Sequence, residues 1–334
     1  MGTLRSVALG LVGVSVLAVF DGCVGDDSGT PDGGDASSAD APADVTSSDV
    51  VSDASVDAGR CDPNKPFGAP TPVAELNSAF DDSAPHLSWD ELTVYFSRRP
   101  TSDTDPFKLY YAQRSSPSDT FGTPALLPNL NSAADAGLND LQPMVAKNDL
   151  ALYFTSDRAS TFDLFTATRT TGGSPSQSPF GNVAPLTNLN HSDRSESRPF
   201  LSADATELWY TANAGSGQPF QIYRALGPTF ATGSAIPDLN TAGANSSPTL
   251  SADGLTMYFS SDRTGGTGGL DIWFAKRAST SAAFQAAVSL STVNAAFNSS
   301  ADDVPAWLSP DDCVFWMATE RSGNLDIYVA ARPK

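Results

Sequence analysis

The chain has 334 residues, of which 40% are hydrophobic and 17% charged, enough apolar material to fill the core of one or two domains. Its formal net charge is −19. Such an acidic chain is repelled by phosphate backbones and anionic headgroups, which argues against nucleic acid and against a bare lipid surface as partners.

The first element is a leader. "MGTLRSVALGLVGVSVLAVFDGC" has one positive charge at Arg5, an apolar run from Val7 to Phe20, and Gly22-Cys23 at its end. The run is too short to span a bilayer stably and reads as a secretory signal over residues 1–22. The Gly-Cys ending resembles a bacterial lipoprotein signal, which implies that Cys23 carries lipid; the other reading is a plain secretory signal cut elsewhere, with Cys23 incidental. Residues 24–60 contain no aromatic residue and one basic one, so they cannot bury enough surface to fold. Ten aspartates between 24 and 62, against Arg60 alone, place nine of the nineteen net negative charges in this stretch. Residues 23–61 are therefore expected to be a disordered, lipid-anchored linker with a root-mean-square span of about 35 Å, stretched further by its own charge. The anchor is the one membrane contact expected.

Residues 62–334 repeat. A segment led by an aromatic residue and ending in Asn occurs five times: "FGAPTPVAELN" from Phe67, "FGTPALLPNLN" from Phe121, "FGNVAPLTNLN" from Phe180, "FATGSAIPDLN" from Phe230 and "FQAAVSLSTVN" from Phe284. After each comes a variable loop and a pair of short apolar strands around a polar turn, as in "PHLSWDELTVYFS" at Pro85 and "PTLSADGLTMYFSSDR" at Pro248. A third strand closes each unit, from "KLYYAQR" at Lys108 to "DIYVAAR" at Asp326. Four short strands at a period of 50 to 59 residues spell a propeller blade. The expected fold is all-β: a five-bladed β-propeller of four-stranded antiparallel blades. The folded part opens with a lone fourth strand and ends after a third, so the N-terminal strand is expected to complete the last blade and leave no open edge.

The element "LSADGLTMYFSSDR…LDIWFA" resembles the WD40-like repeat of TolB-type propellers, over nearly all of residues 67–334. The resemblance implies contacts with periplasmic proteins or the cell wall, although the extra N-terminal domain of that transport-linked protein has no counterpart here.

Three cysteines are present. With Cys23 lipidated, Cys61 and Cys313 remain as a pair in an oxidising compartment, and the strand count puts them on one face, where a disulfide would staple the ring. The other reading makes Cys313 a small buried hydrophobe and leaves Cys61 free.

Residues present in every blade serve the blade. Asp204 and Asp253 read as turn residues bonding nearby amides, and Asp157-Arg158, Asp262-Arg263 and Glu320-Arg321 as bridges between loops. Function is expected where the blades differ. In the third blade Ala212-Asn213 stands for the Asp-Arg pair, and the loop before it, "HSDRSESR", holds His191, Arg194, Glu196 and Arg198. The residue after the hairpin proline, in the strand expected to line the channel, is His86, Met144, Phe200 or Thr249, with Trp307 at the matching place. The mouth is expected to gather Asp81, Asp82, Asp140, Glu196, Asp302 and Asp303 with those arginines into a mixed-charge site for a ligand or peptide, the bland alternative being a solvated loop surface.

No G-x-S-x-G, H-E-x-x-H, P-loop or C-x-x-C motif occurs, and two histidines cannot build a three-histidine metal site. Neither a cofactor nor a metal is expected. The favoured reading is a monomeric outer-membrane lipoprotein, periplasmic or surface-facing, whose propeller binds or scaffolds proteins or glycan. The rivals are a carbohydrate-active enzyme using mouth carboxylates and a passive surface protein.

Overall fold

A computed structural model describes residues 59–131, 137–215, 217–241 and 243–334. The signal, Cys23 and the linker up to residue 58 lie outside the described residues.

The described chain is a ring of five four-stranded antiparallel sheets. From the channel outward, the first blade is β2 (Asp82–Leu87), β3 (Thr93–Arg98), β4 (Lys108–Gln113) and β5 (Ala125–Leu126). The second is β6 (Asp140–Val145), β7 (Ala151–Ser156), β8 (Asp163–Thr168) and β9 (Gly181–Pro185). The third is β10 (Glu196–Leu201), β11 (Glu207–Asn213), β12 (Phe220–Leu226) and β13 (Gly233–Ala235). The fourth is β14 (Asn245–Leu250), β15 (Thr256–Ser261), β16 (Asp271–Lys276) and β17 (Val288–Ser289). The fifth is β18 (Asp303–Leu308), β19 (Val314–Thr319) and β20 (Asp326–Ala331), completed by β1 (Thr71–Pro72) from the start of the domain. In that closing pair Thr71 faces Val329. It satisfies the outer edge of the fifth sheet.

The sequence repeats now have physical reasons. In the turn between the first and second strands, Ser88, Ser202, Ser251 and Ser309 donate to Asp90, Asp204, Asp253 and Asp311 at 2.5–2.6 Å. The next residue has positive φ in all five blades: Glu91, Asp149, Ala205, Gly254 and Asp312. The arginine ending the third strand reaches back to that residue's carbonyl, Arg114 to Glu91 at 2.8 Å and Arg277 to Gly254 at 2.7 Å. Its guanidinium also lies on the phenylalanine that opens the fourth-strand segment, 4.2 Å from the Phe180 centroid for Arg169 and 3.7 Å from Phe67 for Arg332.

The repeated Asn replaces missing backbone at the short outer strand. Asn131, Asn190 and Asn240 each accept from and donate to one third-strand residue, Leu109, Leu164 and Ile222. Asn77 does the same for Ile327 across the closure. In the fourth blade this role falls to Asn298, bonded to Ile272, and not to the Asn294 that ends the repeat, because a 3-10 turn at Leu290–Thr292 delays it.

The core is divided into five wedges, each filled from two adjoining blades. One wedge joins Leu87, Val94 and Phe96 of the first blade to Trp307, Trp316 and Ile327 of the fifth. The same seam holds a Cys61–Cys313 disulfide with a Cα–Cα distance of 5.6 Å. Arg60 beside it pairs with Glu91 and Asp311, in the turns of the first and last blades. The chain therefore enters the ring on the face formed by the turns between first and second strands.

Candidate functional site

Each inner strand starts at the opposite face of the ring, the mouth named by the sequence. Its first residue is Asp82, Asp140, Glu196, Asn245 or Asp303, and all five are buried. Each meets an arginine: Arg98 to Asp82 at 2.5 Å, Arg158 to Asp140 at 2.5 Å, Arg194 to Glu196 at 2.8 Å, Arg263 to Asn245 at 2.6 Å and Arg321 to Asp303 at 2.8 Å. The guanidinium in every case also covers an aromatic ring of its own blade, such as Tyr110, Phe165, Tyr223, Trp273 or Tyr328, at 5.2–5.4 Å. The arginine comes from three different places in the repeat: the end of the second strand (Arg98), two residues beyond that position (Arg158, Arg263, Arg321), or the loop before the blade (Arg194).

Burial raises the carboxyls of Asp82 and Asp140, and their arginines pull the other way. Burial pushes Glu196 up to about 7 against the His191 amide and Arg194. Registers also realign the third blade. Glu196 faces Ala212 as Asp140 faces Ser156, so Asn213, not Ala212, occupies the place of Asp157. Asp157, Asp262 and Asn213 accept the backbone N–H of Asn139, Ala244 and Ser195 just before each inner strand.

Two residues further along, the inner strands bulge towards the channel. The residues there are Ala84, Gln142, Arg198 and Ser247, all with φ of 50–57°, and Pro305 in the fifth blade. They line a cavity of about 40 Å³, room for a few waters or one small polar group. The bulge N–H of Gln142 donates to Ser97 at 2.7 Å, that of Arg198 to Thr155 at 3.0 Å, and that of Ser247 to Thr211 at 3.1 Å, each acceptor belonging to the preceding blade. Where Pro305 offers no N–H, Ser260 at the equivalent place turns its hydroxyl back to the Ser246 carbonyl.

Arg198 is the charged side chain of this lining. Its backbone is fixed, but its guanidinium makes no hydrogen bond or ion pair among the described residues. Burial lowers it to about 10, and the countercharge it feels is Asp302 on the rim. Gln142 accepts with Oε1 from the Arg198 N–H at 3.1 Å and from the Thr155 hydroxyl at 2.8 Å. Both partners donate, which fixes the amide orientation and leaves the Nε2 donors of Gln142 without a hydrogen bond among the described residues.

Below the cavity the channel narrows at His86. Its ring stands edge-on to Phe200 at 5.9 Å and to Trp307 at 6.5 Å, and its Nδ1 accepts from the Val145 N–H at 3.4 Å. Burial drops His86 to about 3, so it is neutral at ordinary pH and serves as an uncharged constriction. Beyond it the lining turns apolar, with Met144, Leu201, Leu250 and Trp307. A groove of about 560 Å³ adjoins this end, running over the turns of the first three blades. Lys147 lies 4.4 Å over Trp89 there. The groove is the larger hollow, yet its Asp90, Asn148 and Asp204 bond their own turns.

Of the residues named from sequence, Arg198, His86 and Trp307 do line the channel. Asp81, Asp302 and His191 stand in rim loops: Asp81 pairs with Arg99 at 2.9 Å, Asp302 accepts the Leu270 N–H, and His191 is exposed. Asp82, Asp140, Glu196, Asp303 and Arg194 lie beneath, tied into ion pairs and closed to solvent at the carboxylate end. Sequence reading passed over Gln142 and Ser247, whose signal was the variable residue directly before each hairpin proline. Glu320, read from the sequence as half of a loop bridge with Arg321, stands on the rim, where burial and then Asp302 and Asp81 raise its carboxyl. Among the described residues no cluster of His, Cys, Asp and Glu is arranged to hold a metal.

No protein-family model matches the chain. No curated protein matches it. Solved structures similar to it include a putative TolB from Agrobacterium tumefaciens, 14% identical over 79% of this chain and 84% of that one, with a TM-score of 0.46. TolB from Acinetobacter baumannii is 15% identical over 78% of this chain and 56% of that one, with a TM-score of 0.45. A putative glycoside hydrolase from Bacteroides ovatus is 12% identical over 76% and 87%, with a TM-score of 0.49. Likeness at this level carries no information on ligand or activity.

Proposed function

We propose that this chain is a binding module of a bacterial cell envelope, held by lipid on Cys23, that takes a protein or glycan ligand at the mouth where its inner strands begin. The observation that supports binding over catalysis is the fate of the mouth acids. Asp82, Asp140, Glu196 and Asp303 each face an arginine at 2.5–2.8 Å, in the place where a glycosidase needs one carboxylic acid free to give up a proton and a second free to attack or activate water.

The anchor fits the geometry. Residue 60 enters the ring beside Cys61–Cys313, on the face opposite the mouth. A tether attached there leaves the mouth unobstructed by its own attachment point.

Affinity capture by residues 59–334, which keep Arg60 and the Cys61–Cys313 bond, from an envelope extract and on a glycan panel tests the module, with release of reducing sugar measured in parallel. A captured ligand without turnover is expected. Turnover abolished by Asp82→Asn or Asp303→Asn would establish the enzyme instead. Fatty-acid labelling that survives Cys23→Ser would refute the anchor.

A further inference from the structure

The cavity at the mouth end of the channel contains donors and no acid. Arg198 brings a guanidinium that makes no hydrogen bond or ion pair among the described residues, and Gln142 brings an amide whose oxygen is occupied by two donors, so that its N–H groups remain. A planar guanidinium beside an amide N–H₂ is the donor set that receives a carboxylate, two oxygens against several N–H groups. Elsewhere in the mouth each arginine already has an acid or amide oxygen; here the oxygen is missing. Phe200 and His86 form an uncharged floor below, and the volume of about 40 Å³ suits the end of a group.

The rim has the reverse sign. The Glu320 N–H donates to the Asp302 carbonyl at 3.0 Å, which sets those two acids side by side, and Asp81, paired with Arg99, accepts the Leu325 N–H of the next loop at 3.1 Å. A polyuronate laid across the mouth would bring many negative charges to that rim. A peptide with a single carboxylate at its end and a basic residue behind it suits both fields.

We propose that Arg198 and Gln142 form a seat for the carboxylate of a peptide segment that enters the channel end-on, with its basic residue at the Asp81, Asp302 and Glu320 rim. The seat rests on the reading of the mouth as a binding site and names the chemistry it selects.

The test uses the full chain and three probes: acetyl-Lys-Gly-Gly with a free carboxylate, the same peptide as its C-terminal amide, and trigalacturonate. Calorimetric titration is expected to show binding of the acid and about tenfold or greater weakening for the amide, the effect of one charge-assisted contact. Arg198→Gln and Gln142→Glu are each expected to lose about as much. The second keeps the acceptor that holds the Arg198 N–H while placing a carboxylate beside the guanidinium. Circular dichroism melts confirm that both variants fold. Equal binding of acid and amide, binding of neither, unchanged binding by both variants, or preference for trigalacturonate overturns the seat.

Envelope capture separates this failure from that of the broader reading. Capture undiminished in Arg198→Gln, with the acid probe failing, removes the seat and keeps the module. Probe binding by a chain that captures nothing removes the module and keeps the seat.

Discussion

Two positions on the same five strands behave in opposite ways. At the first residue of each inner strand the sequence varies in where it supplies the arginine, yet every blade ends with a buried oxygen against a guanidinium that covers an aromatic ring. At the bulge two residues on, four blades share one positive-φ backbone while their side chains are Ala84, Gln142, Arg198 and Ser247, and the fifth substitutes Pro305. The first position converges on one interaction from different spellings, which marks it as architecture. The second diverges on one backbone, which marks it as the place where a ligand can be told apart. Closely packed pairs must be complete because a lone buried charge is costly, whereas a channel side chain has solvent or ligand to face.

The contrast can be broken from the architectural side first. Removing the closing staple with Cys61→Ala and Cys313→Ala is expected to have the largest effect, about 5 kcal/mol in the chain-entropy account for a bond spanning 252 residues, read from urea unfolding. A loss under about 1 kcal/mol would mean that β1 and the Arg60 pairs close the ring unaided.

His86 comes next, through pH. Its folded value of about 3 lies below its ordinary 6.5, so on acidification the unfolded chain takes the proton first. The stability is present above about 6.5 and is lost as pH falls towards 3, by about 5 kcal/mol in all. His86→Phe is expected to flatten this dependence. Melts from pH 7 to 4 giving the same slope for both proteins would place the acid sensitivity elsewhere.

Deleting one partner at the first position, as in Asp303→Ala, is expected to cost about 3–5 kcal/mol, because Arg321 is left without its countercharge. The smallest effect belongs to the bulge. Arg198→Gln should leave unfolding unchanged or raise stability slightly, since the guanidinium has no hydrogen bond or ion pair to lose among the described residues and its desolvated charge is removed. A large destabilisation there would make Arg198 one more structural arginine and erase the contrast.

Much of the ring was legible in the sequence, and for identifiable reasons. The Ser-x-Asp turns, the Arg-Phe contacts and the outer Asn each act within one blade, so they recur at fixed spacing. Errors arose where a loop changed length. The extra turn at Leu290–Thr292 moved the bonding Asn from 294 to 298, and the loop before the third blade supplied Arg194 to a site where other blades use a residue some eighteen positions downstream. The mouth was legible as a place but not as chemistry. Asp82, Asp140, Glu196 and Asp303 look like free acids when read along the chain, because their arginines are matched only across the strand pairs.

The sequence by itself therefore determined the number of blades, the order of strands within them and the need for the N-terminal strand to close the ring, because period-2 apolar patterning and turn chemistry are local. Only the tertiary structure decided which charges are cancelled and which are left. Cancellation depends on which loops meet around the channel, and there five acids or amides find their arginines while Arg198, among the described residues, makes no hydrogen bond or ion pair and feels Asp302 only at a distance.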